Sequence, residues 1–282
     1  MADLTTIILT YNEEQNIKEC IESAKAISQR IVVVDSGSTD KTTKIAGELG
    51  AEIMVHTMTP FLQSKQFIYA VENANVTTQW ILRLDADERL TKESAAELED
   101  LCQKNALTDI NGIVLRFEVE FMGKKLRHGG IYPFRKMVCY KRDKGYMEDV
   151  DMDEHIVLSE GKSVEARFDS EHHDYKDLTR WIEKHNLYSD REVSEYFKRL
   201  NPDTKTTSME KLNRSAKIKR FIKIKIYYKL PGGFRAWAYY IYRYILRGGF
   251  LDGREGRIFA FLQAYWYRFL VDAKIREKEI NR

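Results

Sequence analysis

Three short, largely apolar runs that stop at polar or acidic residues constrain this chain most. Thr5 to Leu9 leads into Thr10-Tyr11-Asn12-Glu13-Glu14. Ile31 to Val34 leads into Asp35-Ser36-Gly37-Ser38-Thr39-Asp40. Trp80 to Leu84 leads into Asp85-Ala86-Asp87-Glu88. Short apolar runs bounded by turn residues read as strands buried on both faces. Helical patterns lie between them. Ile17, Cys20, Ile21 and Ala24 recur at helical spacing, and Asn12 reads as the N-cap of a helix to about Lys25. A second helix follows Asp40, itself read as a helix cap, and ends near Leu49 with Gly50 at C′. Ala51 to Val55 is a third strand, Phe61 to Asn73 a helix carrying Lys65, and Thr91 starts a helix to about Lys104. This alternation predicts parallel βαβ units. In open sheets of that kind, ligands bind beyond the carboxyl ends of the strands.

From Gly112 the texture changes. Val114 to Phe121 alternates as a strand, and Phe121-Met122-Gly123-Lys124-Lys125 has the residues of a hairpin turn. Val138 to Lys141 and Ile156 to Leu158 are shorter strand candidates. Leu178 to about Leu200 is helical, with Trp181, Ile182, His185, Tyr188 and Val193 turned inward. Lys217 to Lys229 interleaves Lys and Arg with Ile, Phe and Tyr. Beyond Pro231-Gly232-Gly233, the residues Phe234, Trp237, Ile241 and Tyr244 form one helical stripe. Beyond Gly248-Gly249, Asp252 is placed to cap a last helix carrying Ile258, Leu262, Tyr265, Trp266 and Phe269.

Composition excludes some classes. The net charge of +3 gives no global case for nucleic acid. The charge is uneven, however: the N-terminal half is acid-rich and the segment after about residue 197 is basic, which suits an anionic surface at that end. Cys20, Cys102 and Cys139 have neither zinc-ligand spacing nor a disulfide framework, so a reducing cytoplasm is expected. No signal peptide is read at the start. No apolar run approaches the roughly 20 residues needed to span a bilayer. Gly37-Ser38-Thr39 lacks the glycine and lysine of a P-loop.

The strand that ends at Asp85 and Asp87 presents two carboxylates at the sheet edge. Such a pair can hold a hard divalent cation against a diphosphate, because these cations share oxygen ligands with substrate phosphates. Arg83, one strand step earlier, is given no role, and Glu88 and Arg89 are read as the start of the next loop.

The three motifs, in this order and each after a strand, resemble the family 2 inverting glycosyltransferases over roughly residues 4 to 100. The resemblance implies a GT-A fold: an α/β, Rossmann-like mixed sheet flanked by helices. Gly123-Lys124-Lys125-Leu126-Arg127-His128-Gly129-Gly130, the Arg135 region and Asp153-Glu154-His155-Ile156-Val157 are similar to the bacterial branch that glucosylates lipopolysaccharide inner core and related surface glycans. Residues 1–175 are then the catalytic domain, with a nucleotide-binding half (1–105) and an acceptor half (106–175). Residues 176–282 form a helical, basic-aromatic appendage.

The resemblance also implies roles. Glu13 and Asp35 would bind uracil, and Thr10 and Tyr11 would line the base pocket. Lys65 would stand near the base or diphosphate. Asp85 would contact ribose or metal, and Asp87 would bind Mg²⁺ or Mn²⁺. Inverting transfer needs one general base for the acceptor hydroxyl, placed at Glu154, with Asp153 or Asp151 as alternatives because Asp149, Asp151 and Asp153 crowd the region. His155 would pair with a carboxylate or touch the diphosphate. His172 or His173 would be either a further metal ligand or a packed histidine.

The expected activity is transfer of a sugar, glucose first, from a UDP-sugar to a lipid-linked or lipopolysaccharide-type acceptor. Two other readings stay open: a sugar-nucleotide nucleotidyltransferase and a non-catalytic glycan- or lipid-binding scaffold. The acidic loop after the first strand disfavours a triphosphate. The aromatics and cations of residues 217–276 point to the cytoplasmic face of the inner membrane, with anionic lipid as partner. Packing of those helices on the domain is the competing reading.

Overall fold

The computed structural model describes residues 1–58, 61–150, 154–174, 176–200 and 230–281, the side chains of 199 and 200 excepted. The expectations for Asp151, Asp153 and Lys217 to Lys229 lie outside the described residues. The chain divides into two compact units. One joins Met1–Glu118 to Phe134–Asp174, and the other joins Val119–Pro133 to Tyr175–Arg282. The hairpin at 119–133 therefore groups with the C-terminal helices, not with the sheet residues around it in sequence.

The first unit is built on a mixed sheet. Its strands are β1 (Leu4–Thr10), β2 (Arg30–Asp35), β3 (Glu52–Val55), β4 (Trp80–Asp85), β5 (Glu88–Arg89), β6 (Ile110–Phe121), β8 (Phe134–Lys141) and β11 (Lys162–His172). Their spatial order is β3-β2-β1-β4-β8-β6-β11-β5. The first four are parallel, and β8 runs antiparallel to both β4 and β6. All seven residues of β1 are buried, as its apolar, β-branched composition requires. Side chains alternate across the sheet. Ile8, Leu82 and Leu84 pack with Ile17, Cys20 and Ile21 of α1 (Ile17–Lys25) and Leu98 of α4 (Lys92–Lys104). Ile7, Leu9 and Ile81 pack on the other side with Phe67 and Ala70 of α3 (Gln63–Asn73). The helix α2 (Thr42–Glu48) and a small sheet of β9 (Gly145–Met147) and β10 (Ile156–Leu158) complete the unit. The three cysteines are buried free thiols.

Helix starts separate good from poor cap readings. Thr91 caps α4, its hydroxyl accepting from the Ser94 N–H at 3.1 Å. Asp40 accepts from the Thr42 N–H at 3.0 Å at the start of α2, and Gly50 takes the left-handed conformation after it, at φ 81°. Asn12 does not cap α1, which begins after Asn16. Asn12 sits instead at φ 54° inside the preceding loop, a conformation Asn tolerates better than most residues.

In the second unit, the end of β6 pairs with β7 (Lys124–Leu126) across a tight turn at Met122 (φ 53°) and Gly123 (φ 76°). Both central residues are left-handed, as a two-residue primed turn demands. The unit also contains α5 (Leu178–Leu200), α6 (Phe234–Ile241), α7 (Gly253–Ala260) and α8 (Tyr267–Ile280), with π-helical segments at Tyr242–Leu246 and Phe261–Trp266. Trp181 and Val193 of α5 face inward as expected, and Phe121 lies edge-on to Trp181 and Phe259. Asp252 is not a conventional cap. Its buried carboxylate accepts from the backbone N–H groups of Arg127 and His128 and meets His128 Nδ1 at 2.7 Å. Among the described residues, no helix is long and apolar enough to cross a membrane.

Candidate active site

Strand register brings the three sequence motifs together. Thr10 lies opposite Asp35, and Leu9 lies opposite Asp85. The carboxyl ends of β1, β2 and β4 therefore adjoin, and their loops share one edge. The first two loops are stitched to each other. The Asn12 N–H donates to Ser38 Oγ, the Thr39 N–H to Asn12 Oδ1 and the Glu13 N–H to Thr42 Oγ1, each at 2.8 Å. Asp35 is 1% exposed. Its Oδ2 accepts from the Gly37 and Ser38 N–H groups, and its Oδ1 accepts from Ser38 Oγ. It thus shapes its own loop, with some of a carboxylate's roughly four acceptor positions still unused. Thr10 Oγ1 is buried without a hydrogen-bond partner among the described residues. Tyr11, half exposed, stacks loosely on Phe61 at 6.3 Å. Glu13 accepts from Asn16 Nδ2 at 2.8 Å. Lys65 lies 3.5 Å from Asp149, both largely in solvent.

The acidic edge is more heavily paired than its sequence suggests. Arg83 and Asp85 are two residues apart on one strand, so they share a face. Arg83 is 3% exposed, and its Nη2 reaches both Asp85 Oδ1 at 3.2 Å and Glu154 Oε1 at 3.1 Å. Lys136, from β8, donates to Asp85 Oδ2 at 2.7 Å and to Glu88 Oε1 at 2.8 Å. Glu88 Oε2 in turn accepts from the Asp85 N–H at 2.9 Å. Burial opposes ionisation of Asp85, but Arg83 and Lys136 prevail and hold its carboxyl down at about 2. At Glu88 the balance reverses: burial wins over Lys136, and that carboxyl is raised.

Arg83, given no role from sequence, links Asp85 to Glu154. Glu88 belongs to a short strand paired with β11 and locks the site rather than opening a loop. A signal for Arg83 was present, because a cation inside an otherwise apolar buried strand must be paired. Lys136 carried no comparable signal, since Phe134 to Lys141 places it across the sheet only once β8 has docked on β4.

Asp87 and His172 form the second half of the site. The antiparallel pairing of β5 with β11 sets His172 opposite Glu88, and the His173 N–H donates to the Asp87 carbonyl at 2.8 Å. His172 Nε2 then lies 3.6 Å from Asp87 Oδ1, under the ring of Phe134. Burial disfavours a charged His172, but Asp87 outweighs burial and raises it to about 9. His173 turns away to Glu171, at 3.1 Å, and His155 to Glu148, at 3.3 Å. Of the two histidines read as either a further metal ligand or a packed residue, His172 is the one beside Asp87. The Asp87 carboxylate is buried and the His172 ring half-buried. Once a cation displaces the His172 proton, a carboxylate oxygen and a neutral imidazole nitrogen are a donor set that fits a divalent ion such as Mn²⁺. Among the described residues, no group of three or more His, Cys, Asp or Glu could hold a metal by itself. Diphosphate oxygens and water would have to complete the shell, which is how such cations commonly bind.

A parallel βαβ half with an acidic pair at its carboxyl edge, continued by antiparallel strands, is the GT-A architecture of nucleotide-sugar-dependent transferases. The sequence model of Glycosyl transferase family 2 matches residues 5–154, and the chain belongs to that family. An uncharacterized glycosyltransferase of Rickettsia bellii (strain RML369-C) is 40% identical over 96 residues, 34% of this chain and 31% of that protein. The SPbeta prophage-derived glycosyltransferase SunS of Bacillus subtilis (strain 168) is 29% identical over 126 residues, 43% of this chain and 28% of its own length. The matches to curated relatives thus span about a third of their length. Among solved structures, glucosyl-3-phosphoglycerate synthase from Mycobacterium tuberculosis, in complex with Mn²⁺, UDP and glucosyl-3-phosphoglycerate, aligns with a TM-score of 0.37. It is 15% identical and covers 50% of this chain and 57% of that one.

Proposed function

We propose that this glycosyltransferase is an inverting, metal-dependent enzyme that takes a sugar, glucose first, from a UDP-sugar. The acceptor is a lipid-linked or lipopolysaccharide-type bacterial surface glycan at the cytoplasmic face of the inner membrane. One observation carries the catalytic part: Glu154 is tied through Arg83 to Asp85, so a candidate base stands at the edge where the nucleotide motifs converge. Asp35, Glu13, Thr10 and Tyr11 would hold the uridine. Asp87 and His172, with Asp85 nearby, would hold the cation. When bound, that cation neutralises charge on the departing diphosphate. Glu154 would use Oε2 to take the acceptor hydroxyl proton while Arg83 fixes Oε1, so the carboxylate meets the acceptor in one orientation.

The test is Glu154→Gln. A general base contributes roughly 10²- to 10⁴-fold, so turnover should fall by about that factor. UDP-sugar affinity should hardly change, because the interaction acts in the transition state. Calorimetry with UDP and Mn²⁺ reads the affinity, and UDP release with acceptor reads the turnover. Normal turnover in Glu154→Gln removes it as the base. Absence of metal-enhanced UDP binding in the parent protein overturns the donor assignment.

A further inference from the structure

In the second unit, one face of the C-terminal helices is apolar and, among the described residues, uncovered. The segments 234–246 and 261–269 are joined by aromatic contacts. Tyr240 meets Phe261 and Tyr265 edge-on, Tyr265 stacks on Phe269 at 5.9 Å, and Tyr244 meets Phe250 at 6.2 Å. The inward side is filled by Ala236, Ala260, Ala264, Tyr267 and Val271, all buried. The outward side carries Phe234, Trp237, Leu246, Phe250, Leu251 and Phe261, each between 48% and 72% exposed. Apolar side chains that gather in this way mark an interaction surface.

The charges around the face identify the partner. Between Leu230 and Val271 there are six arginines and two acids. Two of the arginines, Arg235 and Arg268, are paired with Asp272 and Glu192, which leaves four for the face. Both acids of the segment are engaged elsewhere. Asp252 is buried on Arg127 and His128, and Glu255 lies 3.5 Å from Lys124. Arg247, Arg254 and Arg257 are exposed. Arg243 and Arg247 lie over the rings of Tyr239 and Tyr242, so their cations are held at the level of the aromatic tips. A second copy of the chain, docked through the same patch, would set these arginines against their own images. An anionic lipid surface complements both features: apolar and aromatic side chains enter the headgroup–acyl boundary, and arginines meet the phosphates.

We propose that this face lies in the interfacial layer of an anionic bilayer, with Trp237, Leu246 and Leu251 inserted. The proposal deepens the membrane part of the reading above and rests on that part alone. The donor chemistry uses other residues.

The full chain should sediment with phosphatidylcholine vesicles that contain phosphatidylglycerol. It should bind pure phosphatidylcholine much more weakly and be released as salt is raised. The triple variant Trp237→Ser, Leu246→Ser, Leu251→Ser should lose vesicle affinity by about tenfold or more, since each side chain gives up apolar burial. Its circular dichroism and UDP binding should match the parent, because all three positions are exposed. A parent protein that ignores anionic vesicles overturns the proposal, as does equal binding to neutral ones. So does a concentration-dependent dimer that the triple variant abolishes, which would give the face to a second copy. UDP binding is read in parallel: its absence in a vesicle-binding parent strikes the donor assignment and leaves this one standing.

Discussion

Asp85 divides its two oxygens between two cations, the buried Arg83 and the half-buried Lys136. Removing one member of such a cluster is costly, because the partner charges stay buried without compensation. Arg83→Met leaves both Asp85 and Glu154 short of a cation. It should destabilise the protein by about 3–5 kcal/mol in urea titration. Adding Glu154→Gln should cost less than the sum of the two single changes, since the residues share one network. Full additivity would mean that the contact carries no energy. Asp87→Ala and Asp35→Ala separate metal from nucleotide. The first should weaken UDP binding mainly when Mn²⁺ or Mg²⁺ is present, the second with or without metal. Metal-dependent UDP binding that survives Asp87→Ala intact would remove Asp87 from the cation site. At this scale the sequence exposes acids better than their counterions. Asp85, Asp87 and Glu154 stand in recognisable strings, whereas Lys136 reaches Asp85 across 51 positions of sequence.

One carboxylate ties the helix α4 to the strand β11 at three points. Glu97 accepts from the N–H groups of Arg167 and Phe168 at 2.8 and 2.9 Å and from Arg167 Nε at 3.0 Å. Burial would raise this carboxyl, but the Phe168 and Arg167 donors outweigh it and the net shift is downward. A lowered carboxyl stabilises the fold above its unfolded value, about 4.5, and gives that stability up as pH falls through the folded value. Glu97→Gln should therefore be less stable than the parent at neutral pH, and the gap should close as the solution is acidified below that point. A gap that stays constant from neutral to acid pH would mean that the charge of Glu97 does not matter. Strands and helices were legible in the sequence wherever periodicity was strong. Leu178–Leu200 and Ile156–Leu158 fall where their patterns put them. Ends were less legible where a polar residue had a competing partner. Asn12 binds the neighbouring loop, and Asp252 binds a hairpin 125 positions away. Local sequence shows what a side chain can cap, but not what arrives from elsewhere to claim it.

On the scale of the whole chain, the sequence reads as a catalytic half to residue 175 and a basic-aromatic half beyond it, and it carries no sign of where the hairpin goes. The segment 119–133 sits inside the family match, at residues 5–154, yet belongs to the second compact unit. Its Phe121 and Leu126 are 1% and 0% exposed, packed with Trp181 of the C-terminal half. This matters to anyone who wishes to express a minimal catalytic fragment. Cutting the chain after Asp174 would remove Trp181, Phe259 and Trp266 while retaining the hairpin they cover. The fragment would display two large apolar side chains on a free β-ribbon, an invitation to edge-to-edge aggregation. Size-exclusion chromatography should find the 1–174 fragment in the void fraction, and Phe121→Ser with Leu126→Ser should shift it toward monomer. A fragment that elutes as a monomer without those changes would show that the hairpin tolerates exposure. A cut after Asp174 thus bares the apolar side of a hairpin that residues far downstream keep dry.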